Sequence, residues 1–152
     1  MNPNAAVHNL TKTEIESLIP HRDPFLWIDE AFEIAPGRLF AKKYIDPQLD
    51  VFRGHYPGRP VLPGVLLCEA AMQAGALLIA LQAEGALGTG QVPVATRLNN
   101  VKFKQMVRPG DTLDIAVDLT ERVANAFFLT AAIKVGGKTV ATLEFACAAA
   151  DG

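Results

Sequence analysis

The sequence predicts an α+β domain in which a strongly curved antiparallel sheet wraps around one long apolar helix. Three observations carry that expectation. Between Val65 and Leu81 the only side chains with strong hydrogen-bonding groups are Glu69 and Gln73, so a helix there is apolar on nearly every side and has to be surrounded. Six other segments are rich in aromatic and β-branched residues, the composition of strands. Pro36-Gly37 and Gly136-Gly137 lie between neighbouring segments of that set and mark antiparallel turns.

In chain order, Thr11-Lys12-Thr13-Glu14 has the form of a capping box and starts a short helix that runs to about Leu18, where Pro20 stops it. Phe25 to Ile34 and Arg38 to Ile45 form the first hairpin, and Asp46 to Tyr56 reads as a loop. Pro57, Pro60 and Pro63 stiffen the approach to the apolar helix. Pro63 suits its first turn, where the missing amide hydrogen has no partner to lose, and the helix is expected over Pro63 to Ala83. After a flexible break from Gly85 to Gly90, strands are expected over Val92 to Lys104, Thr112 to Val123, Phe127 to Val135 and Thr139 to Ala148. Sheet edges left open by such a wrap favour pairing with a second copy.

Length and composition narrow the function classes. The 152 residues fit one domain, 1–152, and the 50% apolar and 20% charged content describe a compact chain. A formal net charge of −2 argues against nucleic acid as a partner. The apolar run falls short of the roughly 20 residues that span a bilayer and carries Glu69 inside it, so it reads as a core helix rather than a membrane segment. Met1 to Leu10 lack the basic start and hydrophobic block of a secretory signal, which points to the cytoplasm, and His8 reads as tail. Cys68 and Cys147 belong to no CxxC pair or metal-type cluster and are expected as buried free thiols.

The chemistry concentrates in Gly54-His55-Tyr56-Pro57 and Pro63-Gly64-Val65-Leu66-Leu67-Cys68-Glu69, with Glu69 and Gln73 four apart on one helical face. Desolvation disfavours a charged carboxylate, and a carboxyl in an apolar helix is suited to hold a proton and donate it. Glu69 lies roughly 9 Å along the axis from Pro63 at about 1.5 Å per residue. The amides of Gly64 and Val65 open the helix, where unpaired N–H groups and the macrodipole favour an oxygen that becomes negative. Base, oxyanion donors and acid are the parts that β-elimination from a hydroxyacyl thioester requires. His55 takes the α-proton, Gly64 polarises the carbonyl, Glu69 protonates the departing hydroxyl, and Gln73 orients the carboxyl.

These residues resemble the β-hydroxyacyl-[acyl-carrier-protein] dehydratases of type II fatty acid synthesis, the FabZ type, which have the hotdog fold. The likeness covers nearly the whole chain. It includes Ile19-Pro20-His21-Arg22-Asp23-Pro24-Phe25-Leu26, the two central motifs with Glu69 following His55 by 14 residues, and Val101-Lys102-Phe103-Lys104 with Val107-Arg108-Pro109-Gly110-Asp111. The resemblance implies that His55 and Glu69 are catalytic and convert a (3R)-hydroxyacyl group on acyl carrier protein to the trans-2-enoyl form. It further implies that each site joins His55 of one subunit to Glu69 of its dimer partner, with dimers forming a hexamer, and it brings no metal or organic cofactor. Related dehydratase-isomerases carry aspartate where this chain has Glu69, which favours simple dehydration.

Other residues carry two readings each. Met72, Leu77 and Leu78 either line an acyl tunnel or pack as ordinary core. Lys102 and Lys104, alternating on one strand face, form with Arg97 and Arg108 either a docking spot for the acidic carrier protein or a solvated surface. His21 and Arg22 stand just before a strand, where hydrogen bonds that fix the N-terminal segment suit them better than catalysis. Two functions compete with dehydration: a hotdog acyl thioesterase, against which His55 argues, and a non-catalytic acyl-binding subunit, which needs the cavity without the acid and base.

Overall fold

A computed structural model of the chain describes residues 8–82 and 87–152. The elements run β1 (His8–Leu10), α1 (Lys12–Leu18), β2 (Glu30–Ala35), β3 (Arg38–Tyr44), a 3₁₀ turn (Asp50–Arg53), α2 (Gly64–Gln82), β4 (Gln91–Phe103), β5 (Thr112–Val123), β6 (Ala126–Val135) and β7 (Lys138–Asp151). All the strands join one antiparallel seven-stranded sheet in the order β1-β2-β3-β5-β6-β7-β4. The sheet packs onto α2 through β3, β4, β5, β6 and β7, the wrapped arrangement that an all-round apolar helix requires.

Local signals produce these elements as expected. Thr11 caps α1, its hydroxyl accepting from the Glu14 amide at 3.3 Å. Gly136 and Gly137 both hold positive φ, 57° and 80°, the condition for the tight turn between β6 and β7. Inner-face residues of β5, β6 and β7, among them Leu113, Ile115, Leu129, Ile133, Leu143 and Phe145, interleave against α2 as the core. Gly75 lets the helix approach that face closely: a Cβ there would stand 2.6 Å from the Phe145 ring.

α2 has the length and mean hydropathy, 1.8, of a membrane-crossing helix, but the sheet encloses it and it is a core helix as expected. The expected helix end at Ala83 and the part of the Gly85 to Gly90 break at residues 85–86 lie outside the described residues. So do Met1 to Val7.

Three boundaries differ from expectation. The strand expected from Phe25 begins only at Glu30, because the backbone of Phe25 and Trp27 bonds to the Gln73 side chain instead of a strand partner. His8, read as tail, lies in β1 and pairs opposite Glu33. β7 extends to Asp151 because β4 continues beside it to Gln91. β4 is the edge of the sheet opposite β1 and is exposed along most of its length, including Val94 and Leu98.

Candidate active site

Two clefts carry the candidate residues, and each is built from a different part of the motif. His55 follows the 3₁₀ turn, which fixes its backbone: the His55 amide donates to Val51 O at 3.0 Å, and the Val61 amide donates to His55 O at 3.1 Å. The ring is pinned in turn, with Nδ1 2.7 Å from Val61 O and the Tyr56 ring stacked on it at 4.1 Å. A carbonyl oxygen can only accept, so Nδ1 carries the hydrogen of the neutral ring and Nε2 keeps its lone pair.

The His55 cleft has a volume of about 700 Å³ and is walled by Tyr56, Leu62, Gly64, Val65, Phe103 and Met106. Gly64 and Val65 bring to it the first turn of α2, whose amides have no intrahelical acceptor. Gly64 allows a close approach of β4, since a Cβ there would meet the Phe103 ring at 2.9 Å. His55 and the helix-start residues Gly64 and Val65 therefore line one apolar cleft.

Glu69 and Gln73 line a second cavity of about 240 Å³ together with His21, Met72, Val94 and Cys147. Gln73 is 1% exposed. Its Nε2 donates to Glu69 Oε1 at 3.0 Å and to Phe25 O at 2.9 Å, while its Oε1 accepts from the Trp27 amide at 2.8 Å. The orienting contact expected of Gln73 is thus present. The Glu69 side chain is 23% exposed in the single chain. Burial pushes the Cys147 thiol up to about 11 and raises that of Cys68, which keeps both free thiols neutral and removes them as nucleophiles.

The His55 and Glu69 cavities share no lining residue within one chain. Of the tunnel candidates, Met72 reaches the Glu69 cavity, whereas Leu77 and Leu78 are fully buried in the core. Lys102 and Lys104 are separated: Lys104 lies just beyond β4 at the rim of the His55 cleft, and Lys102 sits on the outer face beside Thr142 and Glu144. Arg108 is exposed on the turn held by its own amide to Asp111, and Arg97 is exposed on β4.

His21 departs from its sequence reading. Arg22 makes the anchoring bonds, from its guanidinium to the carbonyls of Glu16, Ile19 and His21, while the His21 ring points Nε2 at Glu69 Oε1, 3.9 Å away. No periodicity or spacing in the sequence links residues 21 and 69. The available signal was the single polar ring in Pro20-His21 with no helix or strand to serve.

An antiparallel sheet sheathing one apolar helix, with His55 beside the helix start and Glu69 in its second turn, is a hotdog-type domain. The FabA-like domain model matches residues 19–144, and the chain belongs to the FabA-like family. Within it the curated relatives place the chain with the FabZ-type dehydratases, which are lyases. It is 44% identical over 136 residues to the 3-hydroxyacyl-[acyl-carrier-protein] dehydratase FabZ of Enterococcus faecalis, covering 89% of this chain and 94% of that one. It is 40% identical to the protein of the same name from Oenococcus oeni, covering 89% and 96%. Among solved structures, the dehydratase heterocomplex ApeI:P of Xenorhabdus doucetiae matches with a TM-score of 0.61 and 26% identity over 78% of this chain and 93% of that one. The PaaI protein of Escherichia coli shares the fold, with a TM-score of 0.63 and 20% identity over 84% and 82%.

Proposed function

We propose that this enzyme dehydrates (3R)-hydroxyacyl groups carried on the phosphopantetheine arm of acyl carrier protein, giving the trans-2-enoyl thioester in type II fatty acid synthesis, in the cytoplasm. The observation that carries the reading is the His55 ring, whose Nδ1 is committed to Val61 O so that Nε2 stands as a base in the apolar cleft at the start of α2. His55 removes the α-proton. The amides of Gly64 and Val65 receive the negative charge that develops on the thioester oxygen. Glu69, held by Gln73, gives its proton to the β-hydroxyl, which leaves as water; His55 then loses its proton to solvent and Glu69 regains one, closing the cycle.

The site is completed by a second copy. Val92 to Ala95, near the start of β4, wall the Glu69 cavity, and Phe103 to Val107, at its end and just beyond, wall the His55 cleft. Two β4 strands paired antiparallel about a two-fold axis set the start of one beside the end of the other. His55 of one chain then faces Glu69 of its partner, and the partly exposed carboxyl becomes enclosed. Three such dimers make the hexamer, and Lys102, Lys104 and Arg108 form the basic approach for the acidic carrier protein.

The test is enoyl absorbance from a hydroxyacyl carrier-protein substrate. His55→Ala and Glu69→Gln each lower kcat by about 10³-fold or more while the fold, read by circular dichroism, is kept. Parent-level turnover in either variant removes the assignment, and release of free thiol without enoyl product identifies a thioesterase instead.

A further inference from the structure

The Glu69 carboxyl receives both of its nitrogen contacts on one oxygen. Gln73 Nε2 donates to Oε1 at 3.0 Å, and His21 Nε2 lies 3.9 Å from the same Oε1. No hydrogen bond of the His21 ring among the described residues explains its place. Its Nδ1 is buried without a hydrogen-bond partner among the described residues, and the bonds that anchor the segment belong to Arg22. With Nδ1 facing no acceptor and Nε2 facing an oxygen, the ring hydrogen belongs on Nε2.

We propose that His21 is a positioning residue for the acid: together with Gln73 it presents two N–H groups to Oε1 of Glu69, so that the transferable proton is confined to Oε2. This rests on the reading of Glu69 as the acid. A carboxylic acid offers hydrogen bonds from its hydroxyl oxygen and accepts them at its carbonyl oxygen, so donors converging on Oε1 define it as the carbonyl. The 3.9 Å separation is longer than a hydrogen bond, and contacts between catalytic groups often reach hydrogen-bond length only in the Michaelis complex.

The ring must be neutral to do this. An imidazolium would favour the ionised carboxylate and strip the acid of its proton. Burial lowers the proton affinity of His21, with Arg22 acting the same way and Glu69 opposing, so the neutral form prevails at physiological pH. The other titratable group lining the cavity from a packed element is the Cys147 thiol of β7, held up at about 11, and in the dimer His55 of the second copy faces the same space.

The inference is tested on three variants of the purified enzyme with a hydroxyacyl thioester substrate. His21→Leu removes the donor at similar volume and lowers kcat on the order of tenfold with KM nearly unchanged. His21→Gln retains an amide N–H near the Nε2 position and recovers part of that loss. His21→Lys places a fixed positive charge beside Glu69 and moves the alkaline limb of the kcat/KM profile to lower pH, as it must if position 21 faces the carboxyl that holds the proton. Should His21→Leu fail to fold, the Gln and Lys variants still decide. An unmoved pH profile in His21→Lys, or parent kcat in His21→Leu, overturns the proposal. Glu69→Gln is measured alongside: activity surviving in that variant refutes the acid assignment itself, whereas activity lost there with His21 variants unaffected refutes only the role of His21.

Discussion

Gln73 links the chemistry to the fold through one amide group. Its oxygen accepts from Trp27 N–H and its nitrogen donates to Phe25 O and to Glu69, all at 2.8 to 3.0 Å, in a position that is 1% exposed. The sequence shows the Glu69–Gln73 pairing, because a four-residue spacing on a helix is local geometry. It does not show the bonds to Phe25 and Trp27, which join residues more than forty positions apart and replace strand pairing that their aromatic composition favours. Gln73→Leu keeps the volume and leaves the buried Trp27 N–H and the part-buried Phe25 carbonyl without their partner. Each such orphan costs about 1–3 kcal/mol, so the variant is expected to lose about 2–4 kcal/mol in urea unfolding. It also frees the Glu69 carboxyl, and its kcat falls more than its KM rises. A loss below about 1 kcal/mol shows that water or neighbouring groups replace the amide.

At the scale of elements, α2 and the sheet around it were the most legible part of the chain. A helix apolar on all sides has one physical solution in water, and the Gly-Gly turn between β6 and β7 needs no tertiary information. The start of β2 and the short β1 were not legible, since both depend on what packs beside them. The closeness of α2 to the sheet is also a three-dimensional property, visible only in the meeting of Gly75 with Phe145 and Leu129. Here two effects oppose each other. Alanine in place of a mid-helix glycine gains about 0.5–1 kcal/mol in backbone entropy, while overpacking a rigid core costs about 1–3 kcal/mol. A Cβ at 2.6 Å from the Phe145 ring, itself buried, leaves no room for a cheap adjustment, so the clash wins. Gly75→Ala is expected to lower the midpoint of thermal unfolding, with net destabilisation of about 1–2 kcal/mol. A raised midpoint shows that the helix can move away from β7.

For the whole molecule, the separation of the two clefts is the fact that most constrains the assembly. Within a chain, His55 and Glu69 open into cavities with no lining residue in common, yet β4 contributes to both, one near each end. That strand is an edge of the sheet and exposes Val94 and Leu98 along with most of its other side chains, so its unpaired backbone groups are open to pairing with another strand. The sequence carries both catalytic candidates and their spacing, but spacing along a chain cannot say whether two residues meet in one subunit or across two. Mixing decides it. When His55→Ala and Glu69→Gln chains, each nearly inactive alone, are co-expressed in equal amounts, half the dimers are mixed. In a shared-site dimer each mixed pair has one site with both residues intact and one with neither, so roughly one quarter of parent activity returns. If both residues of a site come from one chain, every site in every combination lacks one of them and nothing returns. Leu98→Asp on the β4 edge supplies the companion measurement: light scattering should read a monomer, and the recovered activity should vanish with the dimer.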